Sequence, residues 1–144
     1  MNRTRRLFLT LPVAAIALSA CGAPAASSSA PTTQSFEGAL PMNMSVTELN
    51  DRINAKTDIF VLDVRTPEEY TQDGHVKGST LIPLPELATR LAEIPKDRPI
   101  AAFCRSGNRS KVAQDLLIQN GFTNVTNVIG GIGAWRNANL PTEY

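Results

Sequence analysis

Two short apolar runs constrain the fold of this chain more than any other feature. Residues 59–64 and 99–103 are nearly continuous in apolar and β-branched character. Such runs are typical of strands that are buried on both faces of a parallel sheet. Because segments with helical spacing lie between and after them, the sequence predicts a small α/β domain with a mainly parallel sheet.

Helix-start signals and turn residues predict the remaining elements. The pairs Ser45/Glu48 and Thr66/Glu69 have capping-box spacing and predict two helix starts. Short strands are expected at residues 80–82 and within residues 122–129. Three further helices are predicted: one that Pro85 opens, with Leu87, Leu91 and Ile94 on one face; residues 110–120, with Gly121 just past the end; and residues 132–137.

A cysteine followed by a polar loop stands where the second apolar run ends. The six residues after it are all polar or glycine: Cys104-Arg105-Ser106-Gly107-Asn108-Arg109-Ser110. Loop amides and a helix N-terminus favour an anion at this position, and the two arginines add positive charge. Such surroundings lower the pKa of a thiol, so a reactive thiolate is favoured over an inert buried cysteine.

The first 42 residues have the pattern of an export signal followed by a linker. Residues 1–6 are basic, and the apolar run 7–17 is too short to be a stable membrane span. The run Leu18-Ser19-Ala20-Cys21 resembles a bacterial lipobox, which predicts a signal peptide over residues 1–20 and lipidation at Cys21. Residues 21–42 are rich in Ala, Ser, Pro and Thr and are predicted to be a flexible linker. The folded domain is then expected over residues 43–144.

This pattern predicts an exported protein that fatty acyl chains such as palmitate anchor to a bacterial membrane. The domain would face the periplasm or the cell exterior. Thr4 to Leu9 also resembles a twin-arginine signal, so the export route stays open. The membrane stays open too, because Gly22 after Cys21 gives no clear retention signal. The alternative is an ordinary signal peptide with a spare thiol. If Cys21 carries lipid, Cys104 is the one remaining thiol of the two cysteines, and no internal disulfide is possible.

The charge balance argues against nucleic acid as a partner. Of fourteen basic residues, three lie in the predicted signal peptide: Arg3, Arg5 and Arg6. The remaining eleven face thirteen acidic residues, which gives a net charge of −2. From Cys21 onward the chain contains no basic run or aromatic-interleaved basic patch, so a nucleic-acid-binding surface is not expected.

Five motifs in order make the chain resemble a single-domain rhodanese, a sulfurtransferase. The fold that this resemblance implies is a five-stranded, mainly parallel sheet flanked by helices on both faces. The resemblance covers the domain from about Ser45 to Pro141. Its motifs are Asp63-Val64-Arg65, Pro67-Glu68-Glu69-Tyr70, Gly74-His75-Val76-Lys77-Gly78-Ser79, the Cys104–Ser110 run, and Gly130-Gly131-Ile132-Gly133-Ala134-Trp135.

The resemblance implies a double displacement without a cofactor. Cys104 would take a sulfur atom from a small anionic donor such as thiosulfate and become a persulfide. Cyanide, a thiol or a protein acceptor would then remove that sulfur. The backbone amides from Arg105 through Ser110 are expected to hold the developing negative charge, and Gly107 lets the loop close. Arg105 is expected to contact the donor, and Arg109 to brace the loop.

The other matched residues are expected to support the structure. Asp63 is predicted to accept hydrogen bonds that hold the cysteine loop, and Arg65 to pair with Glu69. His75 is interpreted as part of a turn, not as the base of a Cys–His pair. A single histidine and one available cysteine make a metal site unexpected. Trp135 and Phe122 are predicted to pack in the core.

Two rival functions remain at this point. The first is a persulfide carrier or sulfur-binding module without turnover, although inactive relatives often lack the cysteine that is intact here. The second is a cysteine-dependent phosphatase. The related phosphatase loops have five residues between Cys and Arg, whereas four separate Cys104 from Arg109. The physiological donor and acceptor stay open.

Overall fold

The sheet has the predicted architecture. The computed structural model describes residues 39–144, and the predicted signal peptide, Cys21 and most of the linker lie outside that range. In the described part, five strands are ordered β1-β5-β4-β2-β3, and every neighbouring pair is parallel. The strands are β1 Asn43–Met44, β2 Phe60–Asp63, β3 Thr80–Leu81, β4 Ile100–Phe103 and β5 Val125–Val128.

Among residues 39–144, three α-helices lie between strands and a fourth follows β5. They are α1 Val46–Asn54, α2 Pro67–Gln72, α3 Asn108–Gln119 and α4 Gly131–Asn137. The Ser45 hydroxyl accepts a bond from the Glu48 amide at the start of α1. Thr66 and Glu69 form the full capping box at α2. Gly121 follows α3 with a φ of +84°, a left-handed conformation that glycine adopts without strain. These helix-start and helix-end predictions are confirmed.

The helix predicted to begin at Pro85 is wrong in type. The segment forms two short 3₁₀ helices, Leu84–Thr89 and Leu91–Glu93. Prolines at 83 and 85 remove two amide donors, and the residue before a proline disfavours α-helical backbone. The Leu84 amide is also bound to the Val64 carbonyl at 3.2 Å. The segment still buries Leu87 and Ile94 as predicted.

Alternate residues of the central strands pack on opposite faces of the sheet, and helices cover both. Leu62 and Ala102 pack in one cluster with residues of α3 and of the 3₁₀ segment. Val61 and Phe103 pack in the other cluster with residues of α1 and α4. Phe122 and Trp135 are buried in the first and second cluster respectively, as predicted. Neither β2 nor β4 therefore has a solvent-facing side.

The carboxyl ends of β2 and β4 lie side by side. Asp63 is in register with Phe103, and the Val64 amide donates to the Phe103 carbonyl at 2.9 Å. The residues after both strands therefore meet at one edge of the sheet, where ligands bind in parallel α/β folds. Within residues 39–144, none of the helices has the length and apolar character that a membrane span requires.

Candidate active site

The chain after β4 turns back so that its own amides face the Cys104 sulfur. Gly107 has a φ of +102°, a left-handed conformation that other residues rarely adopt. Its amide donates to Cys104 Sγ at 3.1 Å. Ser110, in the first turn of α3, places its hydroxyl oxygen 3.3 Å from the same sulfur. The Cys104 side chain is fully buried beneath this loop.

The N-terminal end of α4 holds the loop from its carbonyl side. The Ile132 amide donates to the Cys104 carbonyl at 2.9 Å, and the Gly133 amide donates to the Arg105 carbonyl at 3.1 Å. The Gly130 amide donates to the Ser106 carbonyl at 3.2 Å. These bonds fix the loop carbonyls towards residues 130–133. The loop amides are therefore left free to donate to the sulfur, as the Gly107 amide does. The sequence predicted a helix over residues 132–137 but not its contact with the cysteine loop, so this support was missed.

Two opposing effects act on the acidity of the thiol. Burial raises the pKa of Cys104, because it removes water from the charged form. The Ser110 hydroxyl and the backbone amides of Ser110, Ser106 and Gly107 lower it, and their sum prevails. The pKa of Cys104 is therefore below the ordinary value of a thiol. The arrangement favours a thiolate without a general base.

Arg109 joins the loop to α2. Its two terminal nitrogens donate to the two carboxylate oxygens of Glu69, each at 2.7 Å. Hydrogen bonding from Arg109 holds the pKa of Glu69 at about 2, against an ordinary 4.5. The Arg109 guanidinium is thus oriented by a bidentate pair, as a residue that braces the loop would be.

Asp63 and Arg65 form a buried ion pair beside the loop. Arg65 Nη2 donates to Asp63 Oδ2 at 2.7 Å, and both side chains are fully buried. Arg65 also donates to the carbonyls of Gly74 and Glu69, at 2.9 and 3.2 Å. The predicted pairing of Arg65 with the Glu69 carboxylate is wrong, because Arg109 occupies that group. The predicted bonds from the cysteine loop to Asp63 are also absent among residues 39–144, since Arg65 takes the Asp63 oxygens.

Three loop residues lie exposed at the rim of the site: Arg105, Ser106 and Asn108. The Arg105 side chain makes no hydrogen bond or ion pair within the described residues, so it is available to an incoming anion. His75 stacks on the Tyr70 ring at 3.9 Å, and its backbone pairs with Glu143. These contacts place it in an isolated antiparallel bridge, two residues before the turn at Lys77 and Gly78 and not in the turn itself as predicted. No cluster of potential metal ligands occurs in residues 39–144.

Asn127 belongs to the site and was not predicted from the sequence. It lies on β5, nearly fully buried, and its Oδ1 accepts a bond from the Ser110 hydroxyl at 2.7 Å. Its Nδ2 donates to Asn43 Oδ1 at 3.3 Å. A polar residue within the run predicted as the last strand was the signal that could have identified it. Buried carboxamides require partners, and here the partner is a site residue.

Comparison with known proteins agrees with this geometry. A family profile described as "Rhodanese-like domain" matches residues 45–138. The chain is 40% identical over 93 residues to a protein named "Sulfurtransferase" from Allochromatium vinosum, covering 65% of this chain and 86% of that protein. It is 35% identical over 83 residues to "Thiosulfate sulfurtransferase GlpE" from Pseudoalteromonas translucida, covering 58% of this chain and 78% of that one. The crystal structure of a rhodanese-related protein from Thermoplasma volcanium superposes with a TM-score of 0.65 at 33% identity, covering 72% of this chain and 98% of that one.

Proposed function

The chain belongs to the rhodanese-like domain family, and on that premise we propose that it transfers a sulfane sulfur through a persulfide on Cys104. The observation that supports this most directly is the loop itself. A buried sulfur 3.1 Å from the Gly107 amide and 3.3 Å from the Ser110 hydroxyl sits where a negative charge is stabilised. Relatives with this domain are named sulfurtransferases.

The first half-reaction loads the enzyme. The Cys104 thiolate attacks the outer sulfur of a donor such as thiosulfate and forms a new S–S bond. The S–S bond within the donor breaks, and sulfite leaves with its electron pair. The terminal sulfur of the persulfide then carries the negative charge. The loop amides need not reorient as this charge develops, because the bonds to α4 already fix them.

The second half-reaction returns the thiolate. A nucleophile such as cyanide, a small thiolate or a protein thiolate attacks the terminal sulfur. The bond to Cys104 Sγ breaks, and Cys104 leaves as the thiolate that its surroundings favour. Arg105, exposed at the rim, is proposed to attract the anionic donor. Steering of this kind acts on the rate of encounter and weakens with salt.

The geometry favours sulfur transfer over phosphate-ester hydrolysis. A cysteine-dependent phosphatase uses its loop arginine to hold the phosphate oxygens, and pairing with a carboxylate leaves that arginine fewer donors and less net charge for them. Both terminal nitrogens of Arg109 are bound to Glu69, and the loop is one residue shorter than those of the related phosphatases. A persulfide carrier without turnover shares the loaded state, so only turnover separates it from an enzyme.

Mass spectrometry of the intact full-length chain tests the proposal. After brief exposure to thiosulfate, or to polysulfide as a second donor, we expect the gain of one sulfur atom. Cyanide should reverse it, and Cys104→Ser should abolish it. Repeated formation of thiocyanate would identify an enzyme, and a single round would identify a carrier. No gain of sulfur with either donor would overturn the proposal.

We also propose that the protein is exported and anchored by lipid at Cys21. The support is the sequence of the first 21 residues: a basic start, an apolar run and the Leu18–Cys21 pattern. In cells grown with labelled palmitate, the protein should incorporate the label and should be found in the membrane fraction. Cys21→Ser should lose both. Label-free protein in the soluble fraction of cells with the intact sequence would contradict this proposal.

A further inference from the structure

A chain of hydrogen bonds connects the Cys104 sulfur to the protein surface. Cys104 Sγ lies 3.3 Å from Ser110 Oγ, which lies 2.7 Å from Asn127 Oδ1. Asn127 Nδ2 in turn lies 3.3 Å from Asn43 Oδ1. Ser110 is fully buried and Asn127 nearly so, whereas Asn43 is exposed. Water therefore does not replace the inner members of this chain.

Ser110 has one hydroxyl proton and two neighbours that can accept it. A serine hydroxyl donates one hydrogen bond, so it serves either the sulfur or Asn127 Oδ1. The shorter separation is to Asn127, and Asn127 is oriented by its second bond, to Asn43. With a neutral thiol, the sulfur donates to Ser110 and Ser110 donates to Asn127. With a thiolate, the Ser110 hydroxyl is stabilising when it donates its hydrogen bond to the sulfur instead.

We propose that Asn127 is a positioning residue that competes with the Cys104 thiolate for the Ser110 hydroxyl proton. Asn127 thereby favours the neutral thiol and tempers the acidity that the loop confers. This has a use in sulfur transfer, because the nucleophilicity of a thiolate falls as its pKa falls. An excessively acidic cysteine would be ionised but slow to attack. The consequence for sulfur loading rests on the proposed function, whereas the effect on ionisation does not.

Charged groups around the sulfur act on it separately from this hydrogen-bond chain. Arg109, paired with Glu69 of α2, interacts electrostatically with Cys104. The Asp63–Arg65 pair lies at the end of β2, and Arg105 lies exposed on the loop. Strand β5 contributes no titratable side chain, and α4 contributes Arg136, which faces Asp73. None of these groups is altered by a neutral substitution at residue 127.

Replacement of Asn127 by leucine removes the competing acceptor at similar volume. Ser110 then donates to the sulfur alone, so we expect the apparent ionisation constant of Cys104 to rise about three- to tenfold, the size of one hydrogen bond. The limiting alkylation rate of the thiolate should fall about two- to threefold, because a more acidic thiol is less nucleophilic. The measurement is the pH profile of iodoacetamide reaction on the full-length chain, followed on the Cys104 peptide so that Cys21 does not contribute.

Thr126→Val is the matched control. Thr126 is buried on the same strand, next to Asn127, and its hydroxyl has no hydrogen-bond partner. It faces the opposite side of the sheet, because adjacent strand residues alternate. The substitution also removes a buried polar group from β5, and it should leave the Cys104 profile unchanged. A similar shift in this control would show that any change in the packing of β5 moves the profile, and would overturn the proposal.

The decisive arm repeats Asn127→Leu in a Ser110→Ala background. If Asn127 acts through the Ser110 proton, its substitution has no effect on the profile once that proton is gone. A shift of the same size in both backgrounds, or an unchanged or decreased ionisation constant in the single variant, would overturn the proposal. Asn127→Ala takes the place of the leucine variant if that variant does not fold. If Asn127→Leu shifts the ionisation of Cys104 as expected but the parent protein takes up no sulfur from thiosulfate or polysulfide, the result would count against the proposed function and not against this proposal.

Discussion

At the scale of single residues, two glycines decide how closely the cysteine loop and α4 can approach. A Cβ at Gly107 would lie 3.3 Å from the Gly130 amide nitrogen. A Cβ at Gly131 would lie 2.1 Å from the Cys104 carbonyl oxygen, a distance that no Cβ adopts. The sequence shows both glycines. It does not show that Gly107 lies against Gly130 and that Gly131 lies against the Cys104 carbonyl, because these contacts join residues far apart in the chain.

Gly131→Ala should therefore separate α4 from the loop. The clash is with backbone, and the φ of +51° adds strain, so we expect a loss of about 2–4 kcal/mol in the free energy of unfolding. Gly78→Ala is the control, since Gly78 has a φ of +73° with open space around it. It should cost about 1–2 kcal/mol from strain alone. Urea unfolding measures both, and equal losses would show that the contact with Cys104 is not rigid.

At the scale of elements, the unit of β4, loop and α3 could be predicted from sequence because its signals are local. An apolar run, a polar loop with glycine and a helical pattern follow one another without a gap. The capping box of Thr66 and Glu69 is equally local. The predicted Arg65–Glu69 ion pair failed for the opposite reason. Arg109, forty residues later, reaches Glu69 and displaces the local candidate.

The Glu69–Arg109 pair should make the attachment of α2 to α3 depend on pH. The pKa of Glu69 is lowered to about 2 in the folded protein, so the pair's stabilisation is complete above about 4.5 and is lost as the pH falls towards 2. Glu69→Gln should reduce the free energy of unfolding at pH 7 by about 1–2 kcal/mol, since water partly screens the pair. The difference between this variant and the parent, measured by urea unfolding, should shrink below pH 4.

Glu48→Gln supplies the comparison for that experiment. Glu48 also pairs with an arginine, Arg52, but four residues along one half-exposed helix face. Such pairs contribute less than about 1 kcal/mol. A loss as large as that of Glu69→Gln would mean that position 69 contributes no more than an ordinary surface pair does.

At the scale of the whole molecule, the last residues of the chain close the face of the sheet that α1 and α4 cover. Trp135 Nε1 donates to the Pro141 carbonyl at 2.9 Å, and the His75 and Glu143 backbones exchange two bonds of 2.8 and 2.9 Å. Leu140 packs against the second core cluster. A cavity of about 280 Å³ lies beside this segment, lined in part by Trp135 and Pro141. Helical and strand periodicity did not predict this segment, because it belongs to no regular element.

Removal of residues 140–144 should destabilise the domain and expose its tryptophan. Trp135 is only 1% exposed, and the truncation removes its hydrogen-bond acceptor, the Leu140 contact and the pairing with His75. These losses amount to about 2–4 kcal/mol, which corresponds to about 10 °C or more in Tm for a domain of this size. The emission of Trp135 should shift to longer wavelength. Removal of Tyr144 alone, which is 79% exposed, should change neither Tm nor emission. If removal of residues 140–144 also left Tm and emission unchanged, the C-terminal segment would contribute nothing to the stability of the core.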